Sequence, residues 1–255
     1  MKAIILTSKG LRHRYFIRQV TRHFDVPFAL AEEKKNYYVQ QQQDSPLVAQ
    51  HFRDIAEAEK TWFGGEAGQA AAPIHPVEDL NADACVAQAL AEKPDVICLY
   101  GTTILKAPWL EAFPDKIVNL HLGLSPFYRG SATLFWPFVH RELEHLGTTI
   151  HLAVAKVDAG NILARVDTDL RPGEDYYAIT TRLIRDSIDR TPEVVAGYLE
   201  GRNLPRPQEP IQGRVCRKAD FNEDALRKML DYAGNGLSAA EIQNIERRKT
   251  CRYSP

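Results

Sequence analysis

Three polar side chains with complementary chemistry lie close together in the sequence. Asn119 and His121 are separated by one leucine, and Asp158 begins the short run Asp158-Ala159-Gly160. An amide N–H and a protonated imidazole can both donate to the oxyanion that forms when a nucleophile attacks a carbonyl carbon. A nearby carboxylate favours the imidazolium and can accept, directly or through water, the proton of an attacking amine. The three residue types therefore predict a site that holds a carbonyl group while an amine attacks it.

Each of these residues has a simpler explanation when it is taken alone. Asn119 by itself is typical of a turn at the end of a strand, and Asp158 with Gly160 is typical of a common turn. An isolated histidine such as His121 is more often a hydrogen-bonded part of the scaffold than a catalyst. The order of the three residues, and their places at strand ends, favours the functional interpretation.

Hydrophobic patterning predicts the elements that position these side chains. Largely apolar runs over 3–7, 96–100 and 117–120 are typical of buried parallel strands. The first run leads through a glycine turn into a predicted helix over 11–23, which is how a doubly wound α/β fold begins. In such a sheet ligands bind outside the carboxyl ends of the strands, and residues 119 and 121 point to the same side there. The predicted fold class is α/β, a Rossmann-like doubly wound, mostly parallel sheet with a small C-terminal extension.

Weaker patterns complete the outline of the chain. Further strands are predicted over 26–30, 148–154 and 162–166, and a loop or linker over 64–76. Further helices are predicted over 46–63, 77–90, 176–199 and, with Asp220 as its N-cap, 220–232.

Composition excludes several classes of protein. The 255 residues are 44% hydrophobic and 25% charged with a net charge of −1, so no bulk positive field predicts a nucleic-acid partner. The four cysteines, at 85, 98, 216 and 251, show no metal-binding CxxC pair, and we expect reduced thiols. No signal peptide is visible, and no apolar run approaches the roughly 20 residues that span a bilayer. We expect a cytoplasmic protein without a membrane partner or a bound metal.

An ordered set of short motifs resembles the formyltransferases that use 10-formyltetrahydrofolate. The set comprises the Asn-x-His pair at 119–121, a loop ending at Gly130, Thr-x-His at 149–151 and Asp-x-Gly at 158–160. The resemblance is clear from about 95 to 165 and looser over the first strand and helix. It implies that Asn119, His121 and Asp158 are catalytic and that His151 mainly supports the site.

The same resemblance implies a cosubstrate site. The loop 101–105 would hold the pterin ring of 10-formyltetrahydrofolate, with cofactor-binding residues Thr103, Ile104, Leu105 and Asp158. Residues 1–204 would form the catalytic domain. Prolines at 205, 207 and 210 mark a linker into the extension 205–255, a possible dimer element.

Two segments are candidates for binding the amine substrate. The start of the first helix, with Gly10, Arg12, His13 and Arg14, could hold an anionic group, or could simply be a solvated helix start. It does not match GxGxxG, so a dinucleotide cofactor is not supported. Beyond the catalytic loop, Arg129 and Trp136 could line a sugar or a base, although packing in the core is the first expectation for such aromatic residues.

The acceptor amine is the least determined feature. Balanced charge and a short C-terminal region disfavour the branch that formylates methionyl-tRNA. The stretch 121–126 departs from the pattern of the glycinamide ribonucleotide enzymes, whereas the loop 127–130 and Phe135-Trp136 resemble the sugar N-formyltransferases. The predicted function is therefore formyl transfer to a nucleotide-linked amino sugar for polysaccharide biosynthesis, by a homodimer that associates through 176–253. The alternatives are a phosphoribosylglycinamide-type formyltransferase, a formyltetrahydrofolate hydrolase and a non-catalytic folate-binding module.

Overall fold

A computed structural model describes residues 1–33, 37–65 and 71–251. Parts of the predicted loop 64–76 and of the extension 205–255 lie outside these ranges. The strands are β1 Ala3–Ser8, β2 Ala29–Glu32, β3 Ile74–Val77, β4 Val96–Tyr100, β5 Ile117–His121, β6 Tyr128–Gly130, β7 Gly147–Leu152, β8 Ile162–Asp167 and β9 Arg214–Cys216. The α-helices are α1 Leu11–Thr21, α2 Val39–Asp44, α3 Pro46–Phe63, α4 Asp83–Ala91, α5 Ala107–Ala112, α6 Trp136–Val139, α7 Tyr176–Leu199, α8 Glu223–Ala233 and α9 Ala239–Cys251.

The central sheet has seven strands in the order β3-β2-β1-β4-β5-β7-β8. The first five of these run parallel to one another, and the buried apolar sequences of β1, β4 and β5 predicted this arrangement for those three strands. Strands β7 and β8 are antiparallel to their neighbours. The sheet is therefore mostly parallel with helices packed on its faces, and the predicted Rossmann-like α/β class is confirmed.

Two long helices have the bounds that their sequences predict. Helix α3 begins after Ser45, whose side chain accepts a hydrogen bond from the Val48 N–H at 3.2 Å, and Pro46 occupies the first turn. Helix α7 begins after Asp175, whose carboxylate accepts from the Ala178 N–H at 2.8 Å. These local caps, visible in the sequence, fix both starting points.

Two predicted helix starts were wrong. The helix predicted over 77–90 begins only at Asp83, because Val77 ends β3 at the edge of the sheet and residues 78–82 form the turn that leads into the helix. The C-terminal helix begins at Glu223, not after Asp220, since it is the Asn222 side chain that accepts from the Ala225 N–H at 2.9 Å. Asp220 instead ends a short 3-10 turn.

The two faces of the sheet carry separate apolar cores. The smaller core lies under α4 and α5 and includes Leu99, Leu105 and Trp109. The larger core includes residues of α1 and α7, and it also contains Leu226 and Met229 of α8, both fully buried. The C-terminal extension is therefore packed into the core of the main domain. Within the described part of the chain, no helix has the length and apolarity needed to cross a membrane.

Candidate active site

A cavity of about 740 Å³ opens at the carboxyl ends of β4 and β5. Asn119, His121 and Asp158 all line it, together with the loop Gly101 to Leu105. The residues predicted to be catalytic and those predicted to bind the cosubstrate therefore face one space, at the sheet edge where ligands bind in open parallel sheets.

Two groups of residues line the cavity, one from the smaller apolar core and one from the larger. We call Leu99, Leu105 and Leu110, which pack in the smaller core, the Leu105 wall. The opposite, Tyr176 wall is aromatic, packs in or against the larger core, and consists of Tyr38, His51, Phe52, Phe135, Tyr176, Tyr177 and Phe221. A ligand that fills the cavity thus meets an aliphatic surface on one side and an aromatic one on the other.

The amide of Asn119 is oriented by His151, which lies directly opposite it on β7. The Nδ1–H of His151 donates to the Leu152 carbonyl at 2.8 Å, so in the neutral ring Nε2 accepts from Asn119 Nδ2 at 3.1 Å. One amide hydrogen of Asn119 is used in this way, and the other can be donated into the cavity. This geometry agrees with the supporting role that the resemblance implies for His151.

Both ring nitrogens of His121 face acceptors. Its Nε2 lies 3.0 Å from the carbonyl oxygen of Tyr128, and since a carbonyl only accepts, Nε2 carries a hydrogen. Its Nδ1 lies 3.4 Å from Asp158 Oδ2. Burial lowers the pKa of His121, and the negative charge of Asp158 opposes that shift. Nδ1 is therefore the nitrogen that can take up and release a proton toward the cavity.

The carboxylate of Asp158 is held in its ionised form. Its Oδ2 accepts from the Gly130 N–H at 2.9 Å, and Oδ1 lies 3.6 Å from His151 Nε2. Burial alone would raise the pKa of Asp158, but the positive charge of His121 in its protonated form and the Gly130 N–H lower it to about 2. Asp158 is thus a proton acceptor that is ready at any pH near neutrality.

A glycine allows the loop after β5 to approach His121. A Cβ added to Gly123 would lie 2.4 Å from His121 Nε2 and 2.7 Å from the Tyr128 carbonyl oxygen. Any larger residue would separate the two groups whose hydrogen bond defines the protonation of Nε2. The glycine in this stretch therefore has a direct role in the site.

The loop predicted to bind the cosubstrate is anchored by a residue that the sequence analysis missed. Glu32, which is buried at the end of β2, accepts from Thr103 N–H at 2.8 Å and from Thr103 Oγ1 at 2.7 Å. Both polar groups of Thr103 are thus turned toward Glu32, while Ile104 stays 66% exposed beside the cavity. An acidic residue at the carboxyl end of a predicted parallel strand was the available signal.

The predicted substrate-binding residues separate into two groups. Arg12 lines the cavity and forms an ion pair with Glu59 of α3 at 3.2 Å. The other five are not among the residues that line it: Gly10, His13, Arg14, Arg129 and Trp136. His13 is buried with its Nδ1 2.9 Å from Thr7 Oγ1, and Trp136 packs in the larger core, as first expected.

His51 is a buried histidine in the Tyr176 wall that no sequence motif indicated. Its Nδ1 lies 2.9 Å from the Tyr177 hydroxyl, and its ring stacks on Phe221. Burial lowers the pKa of His51 from 6.5 to about 4. The unfolded chain therefore binds a proton between these values that the folded protein does not bind, so His51 makes stability fall as the pH falls from 6.5 to 4.

We expect His51→Gln to reduce the loss of unfolding free energy between pH 6.5 and pH 4. The full shift corresponds to roughly 3 kcal/mol of unfolding free energy. Urea unfolding of both proteins between pH 7 and pH 4 measures the difference, and His23→Gln, at an exposed position, is the control. Equal pH dependence in wild type and His51→Gln would contradict a depressed pKa at His51.

Comparison with known proteins agrees with this geometry. Residues 18–195, which include Asn119, His121 and Asp158, match the family model described as Formyl transferase. The chain belongs to the formyl transferase family. A methionyl-tRNA formyltransferase from Trichlorobacter lovleyi is 32% identical over 142 residues, which is 55% of this chain and 44% of that protein. The chain spans about half the length of the curated relatives it matches.

Solved structures of the formyl transferases share the fold at low identity. A sugar N-formyltransferase from Shewanella sp FDAARGOS_354 aligns with TM-score 0.60 and 14% identity over 90% of this chain and 87% of that one. Phosphoribosylglycinamide formyltransferase from Streptococcus pneumoniae TIGR4 aligns with TM-score 0.56 and 18% identity over 78% of this chain and 99% of that one. A formyltransferase from Anoxybacillus kamchatkensis, solved with UDP-4,6-dideoxy-4-formamido-L-AltNAc and tetrahydrofolate, aligns with TM-score 0.51 and 16% identity over 96% and 97%.

Proposed function

We propose that this formyl transferase moves the formyl group of 10-formyltetrahydrofolate to the amine of a nucleotide-linked amino sugar. The observation that carries the proposal is the convergence of Asn119, His121 and Asp158 on one cavity, beside the loop Gly101 to Leu105. A module that only binds folate has no need for all three groups. Membership of the family supports the reaction type.

The residues of the site match the steps of a formyl transfer. The amine nitrogen bonds to the formyl carbon, the bond from that carbon to N10 of the folate breaks, and the proton lost by the amine is balanced by the one that N10 gains. The free amide hydrogen of Asn119 donates to the oxyanion between these events. Asp158, with Nδ1 of His121 beside it, accepts the amine proton and can return it to the departing nitrogen. No covalent bond to the protein is required.

The Leu105 wall suits the pterin ring of the cosubstrate. It is aliphatic, and the neighbouring loop offers main-chain groups at a place that Glu32 holds fixed. Planar heterocycles are bound by such surfaces through shape and a small number of polar groups. We assign the folate to this half of the cavity and the acceptor to the half bounded by the Tyr176 wall.

The acceptor half combines aromatic rings with a neutralised ion pair. Tyr176 and Tyr177 supply apolar faces on which a sugar ring can pack, and the Arg12–Glu59 pair supplies both donors and acceptors for hydroxyl groups.

The structural likeness to sugar N-formyltransferases supports an amino sugar. The curated relatives, by contrast, formylate methionyl-tRNA according to their names, and the balanced net charge of −1 argues against a tRNA acceptor. The predicted homodimer stays a prediction.

A panel of amines tests the proposed acceptor. The protein is mixed with 10-formyltetrahydrofolate and a nucleotide-linked amino sugar, glycinamide ribonucleotide or methionyl-tRNA, and the release of tetrahydrofolate is followed. We expect release to depend on the amino sugar. Release without any amine would identify a hydrolase. Release only with glycinamide ribonucleotide or methionyl-tRNA would identify that compound as the acceptor. Binding of folate without release would indicate a non-catalytic binding module.

Arg12 and Arg14 provide a matched pair for testing the acceptor half. Arg12 lines the cavity, whereas Arg14, on the same helix, is exposed and does not. We expect Arg12→Ala to raise the KM for the amine about tenfold, because a hydrogen bond to a charged group is worth about 1.5 to 3 kcal/mol. Arg14→Ala should leave that KM unchanged. Steady-state kinetics at saturating cosubstrate measure both, and equal effects would remove Arg12 from the acceptor site.

A further inference from the structure

The short strand β6 contacts two of the three catalytic groups through its backbone. The carbonyl of Tyr128, at its start, faces His121 Nε2 at 3.0 Å, and the N–H of Gly130, at its end, donates to Asp158 at 2.9 Å. The position of β6 therefore determines which nitrogen of His121 carries the hydrogen and where the Asp158 carboxylate sits. Strand β6 is not part of the central sheet.

The C-terminal extension holds this strand. Among the described residues, β9 is the strand that pairs with β6, in parallel, with Tyr128 opposite Arg214. Backbone bonds extend the pairing on both sides, from Arg214 N to Phe127 O at 2.7 Å and from Ser131 N to Cys216 O at 2.8 Å. Immediately before β9, a Cβ on Gly213 would lie 1.7 Å from the Pro126 carbonyl oxygen, so the two segments touch closely.

Side chains close a second link between the same two strands. Tyr128 is 1% exposed, and its hydroxyl donates to Glu142 Oε2 at 2.5 Å. The other carboxylate oxygen of Glu142 accepts from Arg214 Nη2 at 2.8 Å, and His140 Nδ1 lies 2.9 Å from the same hydroxyl. The chain of contacts thus runs from Arg214 through Glu142 to the side chain of Tyr128, whose carbonyl meets His121.

We propose that Arg214, Glu142 and Tyr128 are positioning residues that hold His121 in its Nε2–H form. With Nε2–H committed to the Tyr128 carbonyl, Nδ1 is left facing Asp158 to exchange the amine proton. Neither Arg214 nor Glu142 lines the cavity, so they act only through Tyr128. The catalytic part of this proposal rests on the proposed function, whereas the tautomer of His121 does not.

The Arg214–Glu142 pair is suited to a test because its loss should not unfold the protein. The side chains are 53% and 30% exposed, and ion pairs this exposed contribute little to stability. Arg227 offers a control in the same extension, since it forms a comparably exposed pair with Glu223 on α8.

Nitrogen NMR of histidine-labelled protein tests the tautomer directly. The His121 signals are assigned by their loss in His121→Gln, and protonated and unprotonated ring nitrogens have well-separated shifts. We expect wild type and Arg227→Ala to show Nε2–H, and Arg214→Ala and Tyr128→Phe to show a mixture of tautomers, with Arg214→Lys restoring part of the wild-type spectrum. An unchanged Nε2–H signal in both Arg214→Ala and Tyr128→Phe, in folded protein, would overturn the proposal.

Kinetics supply the second readout. We expect Arg214→Ala to lower kcat by about 10- to 100-fold with little change in KM, because displacing a reacting group by about 1 Å can cost about 100-fold in rate. Mixed tautomers with wild-type kcat would overturn the catalytic part. If wild type transfers formyl to no amine, the proposed function fails, yet the NMR spectra still decide whether Arg214 positions His121.

Discussion

Replacement of Asn119 by alanine is expected to lower kcat for formyl transfer by about 10²- to 10³-fold, the loss typical of one oxyanion donor. The donor is the amide hydrogen that His151 leaves free, and it acts on charge that develops only as the amine attacks. Ground-state binding of the amine and of the cosubstrate uses other groups, so both KM values should change little. Steady-state kinetics with each substrate varied in turn measure the effect.

A control separates loss of the donor from loss of structure. Asn244→Ala removes an asparagine at an exposed position of α9 and should retain wild-type kcat. Asn119→Ala also removes a partner of His151, so its melting temperature must be compared with that of the control. A folded Asn119→Ala protein with nearly normal kcat would exclude Asn119 as the oxyanion donor.

Asp158→Asn is expected to lower kcat by about 10²- to 10⁴-fold, the range for general acid–base catalysis. The substitution preserves shape, and the amide oxygen can still accept from the Gly130 N–H. The amide nitrogen would then lie at the Oδ1 position, toward His151 Nε2, and the uncharged amide oxygen beside His121 Nδ1 is a far weaker acceptor for the amine proton than a carboxylate. Removing the negative charge should also lower the pKa of His121 further, because Asp158 opposes the effect of burial there.

The wild-type pH profile checks the ionisation of Asp158, and the kcat of the folded variant checks its role. Because the pKa of Asp158 is about 2, the carboxylate is ionised throughout the accessible range, and it should produce no inflection in the wild-type kcat between pH 5 and pH 8. Asp231→Asn, at an exposed position of α8, is the matched control. Wild-type kcat in a folded Asp158→Asn protein would show that the amine proton takes another route.

Local sequence signals were sufficient to predict the strands and helices whose bounds depend only on residues within or next to them. The apolar runs of β1, β4 and β5 predict buried strands because both faces of a parallel strand are covered. Helices α3 and α7 match their predicted bounds because each carries its own cap. The predicted start of α4 was wrong because Val77 belongs to β3, and the pairing of β3 with β2 is a contact between segments distant in sequence.

The same distinction applies to the site residues. Asn119 and His121 were predicted together because they lie two residues apart at the end of β5, and Asp158 joined them through the ordered motifs of the family resemblance, because it follows the antiparallel strand β7. Glu32 was missed because its partner, Thr103, lies 71 residues away in sequence. Arg12 was assigned to an anion site because its ion partner, Glu59, could not be placed against it before α1 and α3 were packed together.

The sequence by itself thus determined the fold class and the type of chemistry, and it predicted Asn119, His121 and Asp158 as the catalytic residues, since periodicity and short motifs depend on neighbouring residues. Only the tertiary structure decided the partners of each polar group. It placed His151 behind Asn119, Tyr128 on Nε2 of His121, and β9 against β6. Those pairings depend on how distant segments pack. They matter because a donor or acceptor already bonded within the protein cannot bond to the substrate.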